Sequence, residues 1–202
     1  MIRVVLFDLD GVVRHFDPGF VPGLERKHGL ELGTIESAAF GSPLIEDVTT
    51  GRITRAEWVR RVGELIGNLP AAEEWRSHPS VVDEDVLELS DEVRESGLRT
   101  AVLTNGTDTI PTEIEALGIA GRFDAVFNSA DIGFVKPDVR AFQHVLDALG
   151  VAARDVFFTD DTVTKLVGAD ELSMHVHLFR GVRQLRDALA AAGVAVRRPD
   201  RP

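Results

Sequence analysis

The sequence predicts an α/β protein built on a mostly parallel sheet with helices on both faces, and three observations carry that reading. Strand-like and helix-like segments alternate from Asp83 to Ala191, as repeated strand–helix units do. The runs Val4-Val5-Leu6-Phe7 and Val156-Phe157-Phe158 are continuously apolar, which suits strands covered on both faces. Finally, three strands end on polar residues: Asp8 and Asp10, Thr104 and Asn105, and Asp160 and Asp161. Ligands of such sheets bind outside the carboxyl ends of the strands.

The first strand runs into Asp8-Leu9-Asp10-Gly11, whose carboxylates project from the same side of the chain. Two like charges about 4 Å apart repel by about 4 kcal/mol at an effective dielectric near 20. The pair therefore implies a cation, a shared proton, or both; the alternative is that one Asp caps a helix and the other is solvated. Gly11 marks a turn with positive φ.

The strand–helix alternation is then postponed. Residues 20–28 and 34–40 read as short helices, separated by Gly33, Gly41, Pro43 and Gly51. Thr54-Arg55-Ala56-Glu57 forms a capping box, followed by Trp58, Val62, Leu65 and Ile66 at helical spacing. This stretch reads as an inserted helical subdomain, with Trp58 and Trp75 packing it. From residue 83 come a helix over 83–96, a strand over 99–104, a helix over 110–117 with Pro111 in its first turn, and a strand over 125–128. A helix over 138–149, a strand at 156–158, a helix over 163–172, a strand over 174–179 and a helix over 182–191 complete the chain.

Composition narrows the function. The 202 residues suffice for one domain carrying an insertion, and 44% hydrophobic with 27% charged residues is ordinary for a globular protein. The net charge of −11, from 22 basic and 33 acidic residues, argues against a nucleic-acid partner. The basic run from Arg197 to Pro202 reads as a flexible tail. The absence of cysteine excludes disulfides, thiol catalysis and Cys-ligated metal centres. The first apolar run is too short for a signal peptide or a membrane span, so no membrane partner and a cytoplasmic location are expected. His175 and His177 alternate along the last strand without a third ligand nearby, which disfavours a metal role. Monomer and dimer are equally compatible with these features.

Asp8-Leu9-Asp10-Gly11-Val12, Thr104-Asn105-Gly106, Lys136-Pro137 and Asp160-Asp161-Thr162 occur in this order after suitable elements. On these motifs the chain resembles the haloacid dehalogenase-like hydrolase superfamily, over nearly its whole length from residue 2 to about residue 192. The resemblance implies a Rossmann-like, doubly wound core from residues 1–15 and 83–196, with a small helical cap at 16–82. It also implies a Mg²⁺-dependent phosphatase acting on a small phosphorylated metabolite.

In such an enzyme Asp8 is the nucleophile that forms an aspartyl-phosphate. Asp10 protonates the departing alkoxide and then deprotonates water. Lys136 neutralises charge between Asp8 and the phosphate. Thr104 by its hydroxyl, and Asn105 by its side-chain or backbone amide, hold phosphoryl oxygens beside Gly106, although Asn105-Gly106 alone also fits a turn. The metal ligands implied are Asp8, the backbone carbonyl of Asp10, and Asp161, with Asp160 either ligating or holding a metal-bound water. Relatives often carry Asn where this chain has Lys165. Gly11, within the first motif, is expected beside the substrate; Arg14 follows that motif and either meets substrate or lies solvated at the domain junction. Arg52, in the loop after Gly51, either recognises an anionic substrate or is a surface residue. A sugar phosphomutase is the alternative on the same residues. A dehalogenase is disfavoured by the acid at Asp10, and a non-catalytic phosphoacceptor or binding module by the insertion and the complete motif set.

Overall fold

The structure is a computed structural model that describes residues 1–197 of the chain. All of the expected basic tail except Arg197 lies outside the described residues; Arg197 donates its backbone N–H to Glu92 Oε2 at 3.1 Å.

The first strand, β1 (Val4–Phe7), is followed by a short strand β2 (Arg14–Phe16) and five helices: α1 (Phe20–Lys27), α2 (Thr34–Ala39), α3 (Leu44–Thr49), α4 (Arg55–Leu65) and α5 (Leu69–Trp75). A short strand β3 (Ser80–Val82) pairs antiparallel with β2, His15 opposite Val81, where the chain leaves and re-enters the sheet domain. Then come α6 (Glu84–Glu95), β4 (Arg99–Thr104), α7 (Ile110–Ala116), β5 (Ala125–Asn128), α8 (Ser129–Ile132), α9 (Val139–Leu149), β6 (Val156–Asp160), α10 (Val163–Glu171), β7 (His175–Leu178) and α11 (Val182–Ala191).

The main sheet is parallel throughout, in the order β5-β4-β1-β6-β7. Counting its strands alone, this is the doubly wound order 3-2-1-4-5, whose winding reverses between β1 and β6. Period-two alternation splits β1 between two cores: Val5 and Phe7 pack with α6 and α11, whereas Val4 and Leu6 pack with α9 and α10. Because both faces are covered, the strand needs apolar residues at every position. The expected α/β class and parallel sheet are observed.

The helical insertion has a third core, in which Val21, Leu24, Ile35, Val48, Trp58, Val62 and Trp75 pack together. Thr54 caps α4 by accepting the Glu57 N–H at 3.2 Å, as the capping box required. Leu65, expected on the apolar face of α4, is instead 67% exposed, because the buried stripe runs through Trp58, Val59 and Val62 to Ile66 and leaves Leu65 beside it. The insertion docks on the sheet domain at the start of α8 and at the loop before α7. Ser129 Oγ donates to the Thr49 carbonyl at 2.6 Å, and the Arg55 N–H donates to Asp108 Oδ1 at 2.7 Å. Gly51 (φ +73°) lies so close to the Ala130 carbonyl that any side chain would collide with it. Among the described residues no helix is long and apolar enough to cross a membrane.

Candidate active site

The reversal point between β1 and β6 places Asp8, just past the end of β1, beside Asp160 at the end of β6. Both carboxylates are buried. The Asp8 backbone N–H donates to the Thr159 carbonyl at 2.9 Å, so the sheet itself fixes the position of the side chain. Asp8 Oδ1 accepts from the Leu9 N–H at 2.7 Å and lies 2.7 Å from Lys136 Nζ. Lys136 Nζ also donates to Asp160 Oδ2 at 2.7 Å, so one buried ammonium spans the two carboxylates. Asp160 Oδ1 accepts the Thr162 N–H at 2.9 Å, and Asp161 Oδ1 accepts the Thr162 hydroxyl at 2.9 Å.

The other oxygen of Asp8, Oδ2, is buried without a hydrogen-bond partner. Lys165 Nζ approaches it to 3.7 Å, an ion-pair rather than a hydrogen-bond distance. Burial pushes the Asp8 carboxyl above its ordinary value; Lys136 pulls it down and Asp160 pushes it further up, leaving it raised. Burial acts to lower the Lys165 ammonium, but the surrounding carboxylates of Asp8, Asp160 and Asp161 prevail and raise it. Among the described residues, Asp8, Asp160 and Asp161 offer carboxylate oxygens within 4.8 Å of one another. An orphaned buried oxygen inside a carboxylate cluster fits a hard divalent cation.

Asp10 begins the other half of the site. Its carboxylate accepts from Arg14 Nε, and from Arg14 Nη2 at 3.4 Å. Arg14 Nη1 donates to Glu113 Oε2 at 2.7 Å, and its guanidinium lies 5.1 Å from the Phe16 ring centroid. Burial alone would lower the Arg14 pKa, but Asp10 and Glu113 outweigh it and raise the value. Glu113 also accepts from Thr109 Oγ1 at 2.6 Å and from Arg55 Nη1 at 3.0 Å. Burial would raise Glu113, yet these donors hold it below the ordinary carboxylate range. Asp10, Arg14 and Glu113 face an open cavity of about 320 Å³ between the sheet domain and the helical insertion.

Residues 2–171 match the family model of the haloacid dehalogenase-like hydrolases. The chain belongs to this family. This member is 28% identical over 204 residues to a phosphatase of Mycobacterium tuberculosis, covering 93% of this chain and 92% of that protein. It is 25% identical over 207 residues to bifunctional epoxide hydrolase 2 of Rattus norvegicus, covering 89% of this chain but only 36% of that longer protein. Among solved structures it is similar to a haloacid dehalogenase family enzyme of Bacteroides thetaiotaomicron in complex with magnesium and inorganic phosphate. The TM-score is 0.74 at 22% identity, covering 88% of this chain and 93% of that one, a likeness of fold.

Within this haloacid dehalogenase-like hydrolase the motif residues divide by what they touch. Asp8, Lys136, Asp160 and Asp161 converge, and Thr104 is buried at the end of β4, opposite Asn128 of β5. The Asn105 side chain is turned to the backbone of Lys136: Oδ1 accepts the Lys136 N–H at 2.8 Å and Nδ2 donates to the Lys136 carbonyl at 2.9 Å. Asn105 thus sets the backbone from which Lys136 projects, and Gly106 lines the cavity beside it. Gly11 does not line the cavity. Its φ of +89° meets the expected turn, and its missing side chain admits the Asp161 carboxylate, with which any Cβ would collide.

Arg14 lines the cavity wall, but it is 3% exposed and paired with Asp10 and Glu113, so it is not a solvated junction residue. Arg52 is not brought to the cavity: it is exposed and paired with Asp47 at 2.9 Å. The cation that α4 does bring there is Arg55, in the first turn of that helix. Trp58 and Trp75 pack the insertion as expected and line the cavity as well. Glu113 and Arg55 escape sequence reasoning because each reads locally as a helix first-turn residue. His177 is held by Thr159 Oγ1 at 3.1 Å, outside the carboxylate cluster, and burial lowers its pKa.

Proposed function

We propose that this protein is a Mg²⁺-dependent phosphatase that hydrolyses small phosphate monoesters through an aspartyl-phosphate on Asp8. One observation carries the reading: the Asp8 carboxylate is buried at the reversal point of the sheet, tethered through Oδ1 and unpartnered at Oδ2, facing Asp160 and Asp161. A tethered carboxylate is aimed, and a free oxygen lets it react or ligate.

In the first step Asp8 attacks phosphorus and the P–O bond to the leaving alcohol breaks, the alkoxide taking a proton from Asp10. In the second, Asp10 takes a proton from water as that water attacks phosphorus, the acyl phosphate P–O bond breaks, and Asp8 is regenerated with release of phosphate. Lys136 lies on the Asp8–Asp160 axis and offsets charge at the nucleophile. Arg14 orients the Asp10 carboxylate by two guanidinium contacts. The buried Thr104 hydroxyl and the backbone amides of Asn105 and Gly106 are left to hold phosphoryl oxygens, since the Asn105 side chain is engaged.

Asp8, Asp161 and the Asp10 backbone carbonyl would hold Mg²⁺, with Asp160 ligating or holding a water, and the ion would supply charge neutralisation at the phosphoryl oxygens. Charge balance supports this. Asp8, Asp10, Asp160 and Asp161 stand against Lys136, Lys165 and Arg14, an excess of one negative charge before a phosphate dianion arrives. We read residues 16–82 as a cap over the site, because their helices share a core of their own and line one wall of the cavity. The magnesium–phosphate complex of the Bacteroides enzyme and the phosphatase relative support the same chemistry.

The test is phosphate release from a panel of monoesters with Mg²⁺, in the wild type and in Asp8→Asn. The variant should lose at least ~10⁴-fold, as removal of a nucleophile does. Absence of release from every ester, with the variant indistinguishable from wild type, would overturn the proposal. Transfer of phosphate to a sugar rather than to water would indicate the mutase.

A further inference from the structure

The cavity defines the chemistry of the leaving group. An acid that protonates the departing oxygen must stand beside it, and Asp10 faces this cavity together with Asn105 and Gly106 of the second motif. The organic part of the ester therefore extends into the cavity. Its volume of about 320 Å³ is enough for a small-molecule site.

The walls there are apolar. Phe16, Val21, Phe40, Ile45, Trp58 and Trp75 contribute most of the lining from the insertion side, and Ile110 adds to it from the sheet domain. Trp58 and Trp75 stand edge to face, with ring centroids 4.8 Å apart.

The charged lining residues balance, with Arg14, Arg55 and Arg76 against Asp10, Glu36 and Glu113, so nothing there favours a second charge on the substrate. Most of the polar side chains are already occupied; the exposed Glu36, at the cavity's edge, is not. Arg14 and Arg55 both donate to Glu113, Arg55 Nη2 donates to the Arg76 carbonyl at 2.8 Å, and Arg76 pairs with Glu73 at 3.5 Å. Thr49 Oγ1 donates to the Ile45 carbonyl at 2.7 Å, and His78 Nε2 is bonded to the Asp17 carbonyl at 2.9 Å. The Trp58 indole N–H donates to the Ala39 carbonyl at 3.0 Å.

From this geometry we infer that the cavity takes an uncharged, apolar leaving group, an alkyl or arylalkyl alcohol, in place of a sugar or a second anionic group; this rests on the phosphatase reading. A polyhydroxylated leaving group would exchange water for aromatic faces and for polar groups most of whose hydrogen bonds are already made, and most of its hydroxyls would be left short of partners. An alkyl chain loses no hydrogen bonds on entry and gains from each methylene removed from water.

The test compares kcat/KM for ethyl, butyl, hexyl and 2-phenylethyl phosphates with that for glucose 6-phosphate and glycerol 3-phosphate, all esters of primary alcohols. Each buried methylene contributes up to about fourfold, so hexyl phosphate, with four more than ethyl phosphate, should exceed it by up to about 250-fold. Both polyol esters should fall below butyl phosphate. Phe40 is 57% exposed and can be replaced without opening the core; Phe40→Ser should reduce the hexyl-to-ethyl ratio about fivefold by removing part of that apolar wall. A ratio near one across the alkyl series, or glucose 6-phosphate as the better substrate, overturns the inference while leaving the phosphatase reading intact.

Binding gives a readout independent of turnover. Both tryptophans of the chain line the cavity, so hexylphosphonate should shift their emission at concentrations where methylphosphonate does not. That shift without hydrolysis of any ester would overturn the phosphatase reading and uphold the apolar site; no shift overturns the apolar site.

Discussion

Replacing Lys136 with Met should destabilise the fold as well as stop the reaction, and the size of the effect follows from the geometry. The ammonium is 2.7 Å from Asp8 Oδ1 and 2.7 Å from Asp160 Oδ2, with all three side chains buried. Each contact gains about 6 kcal/mol of Coulomb energy at an effective dielectric near 20, most of it offset by the cost of taking the charges out of water. Removing one partner leaves that cost in place, so the expected loss is ~3–5 kcal/mol. For a chain of this length that lowers Tm by roughly 10 °C.

The loss should also depend on pH. Burial raises the Asp8 carboxyl and Lys136 opposes that rise. A folded pKa above the unfolded one gives stability that is fully present below the unfolded pKa and lost as pH climbs through the folded value. Without Lys136 the folded value moves higher still, so the variant's deficit should grow from about pH 4 to about pH 7. Urea denaturation of metal-free protein at both pH values measures it. A second substitution, Asp160→Asn, should recover part of the deficit by removing the neighbouring like charge. A deficit of about 1 kcal/mol or less, the size of an exposed pair, with no change between the two pH values, would refute the reasoning.

Two further outcomes follow from the charges around Asp8 and Asp10. Lys165 lies 3.7 Å from the unpartnered Asp8 oxygen, where an ammonium competes with a divalent cation. Lys165→Asn should tighten Mg²⁺ binding about tenfold, or ~1.4 kcal/mol, by titration calorimetry without substrate; unchanged or weaker binding would show that the lysine does not compete. Arg14→Lys replaces a guanidinium shared between Asp10 and Glu113 by a point charge that cannot hold both. It should lower kcat by ~10–100-fold through misaligned proton transfer, with KM little changed. A rise in KM alone would mean that Arg14 binds substrate directly.

The sheet and the charged end of the site were legible because they depend on local pattern and chain order. Continuous apolar runs mark β1 and β6, and their polar ends together with the motif resemblance put Asp8 and Asp160 in one site; the observed strand order brings those ends together at the reversal point. The helices α3 and α5 were not foreseen. At six and seven residues they make too few turns to show a period, and Pro43 before α3 reads as a breaker. Arg52 and Arg55 illustrate the same limit at single-residue scale. Three positions apart, one pairs with Asp47 outside the cavity and the other reaches Glu113, a difference set by the turn into α4 that composition does not encode. Asn105 was placed near the phosphate by its motif, but its actual partner, the backbone of Lys136, is 31 residues away. Pairings across such separations are products of the assembled fold.

Glu113 joins the two halves of the molecule more directly than any motif residue does. On one side it holds Arg14, which clamps Asp10; on the other it holds Arg55, in the first turn of α4 of the insertion. Thr109 supplies a third donor from the start of its own helix, and together these keep the carboxylate ionised against the effect of burial. The residue that orients the proposed acid and the residue that anchors the helical insertion thus share one acceptor. If α4 moved away, Glu113 would lose one of its two guanidinium partners and bear more heavily on Arg14, shifting the clamp on Asp10. An acid tied in this way to the docking of the insertion is best aligned when the cavity is enclosed, which is when the leaving group is shielded from water and in need of its proton.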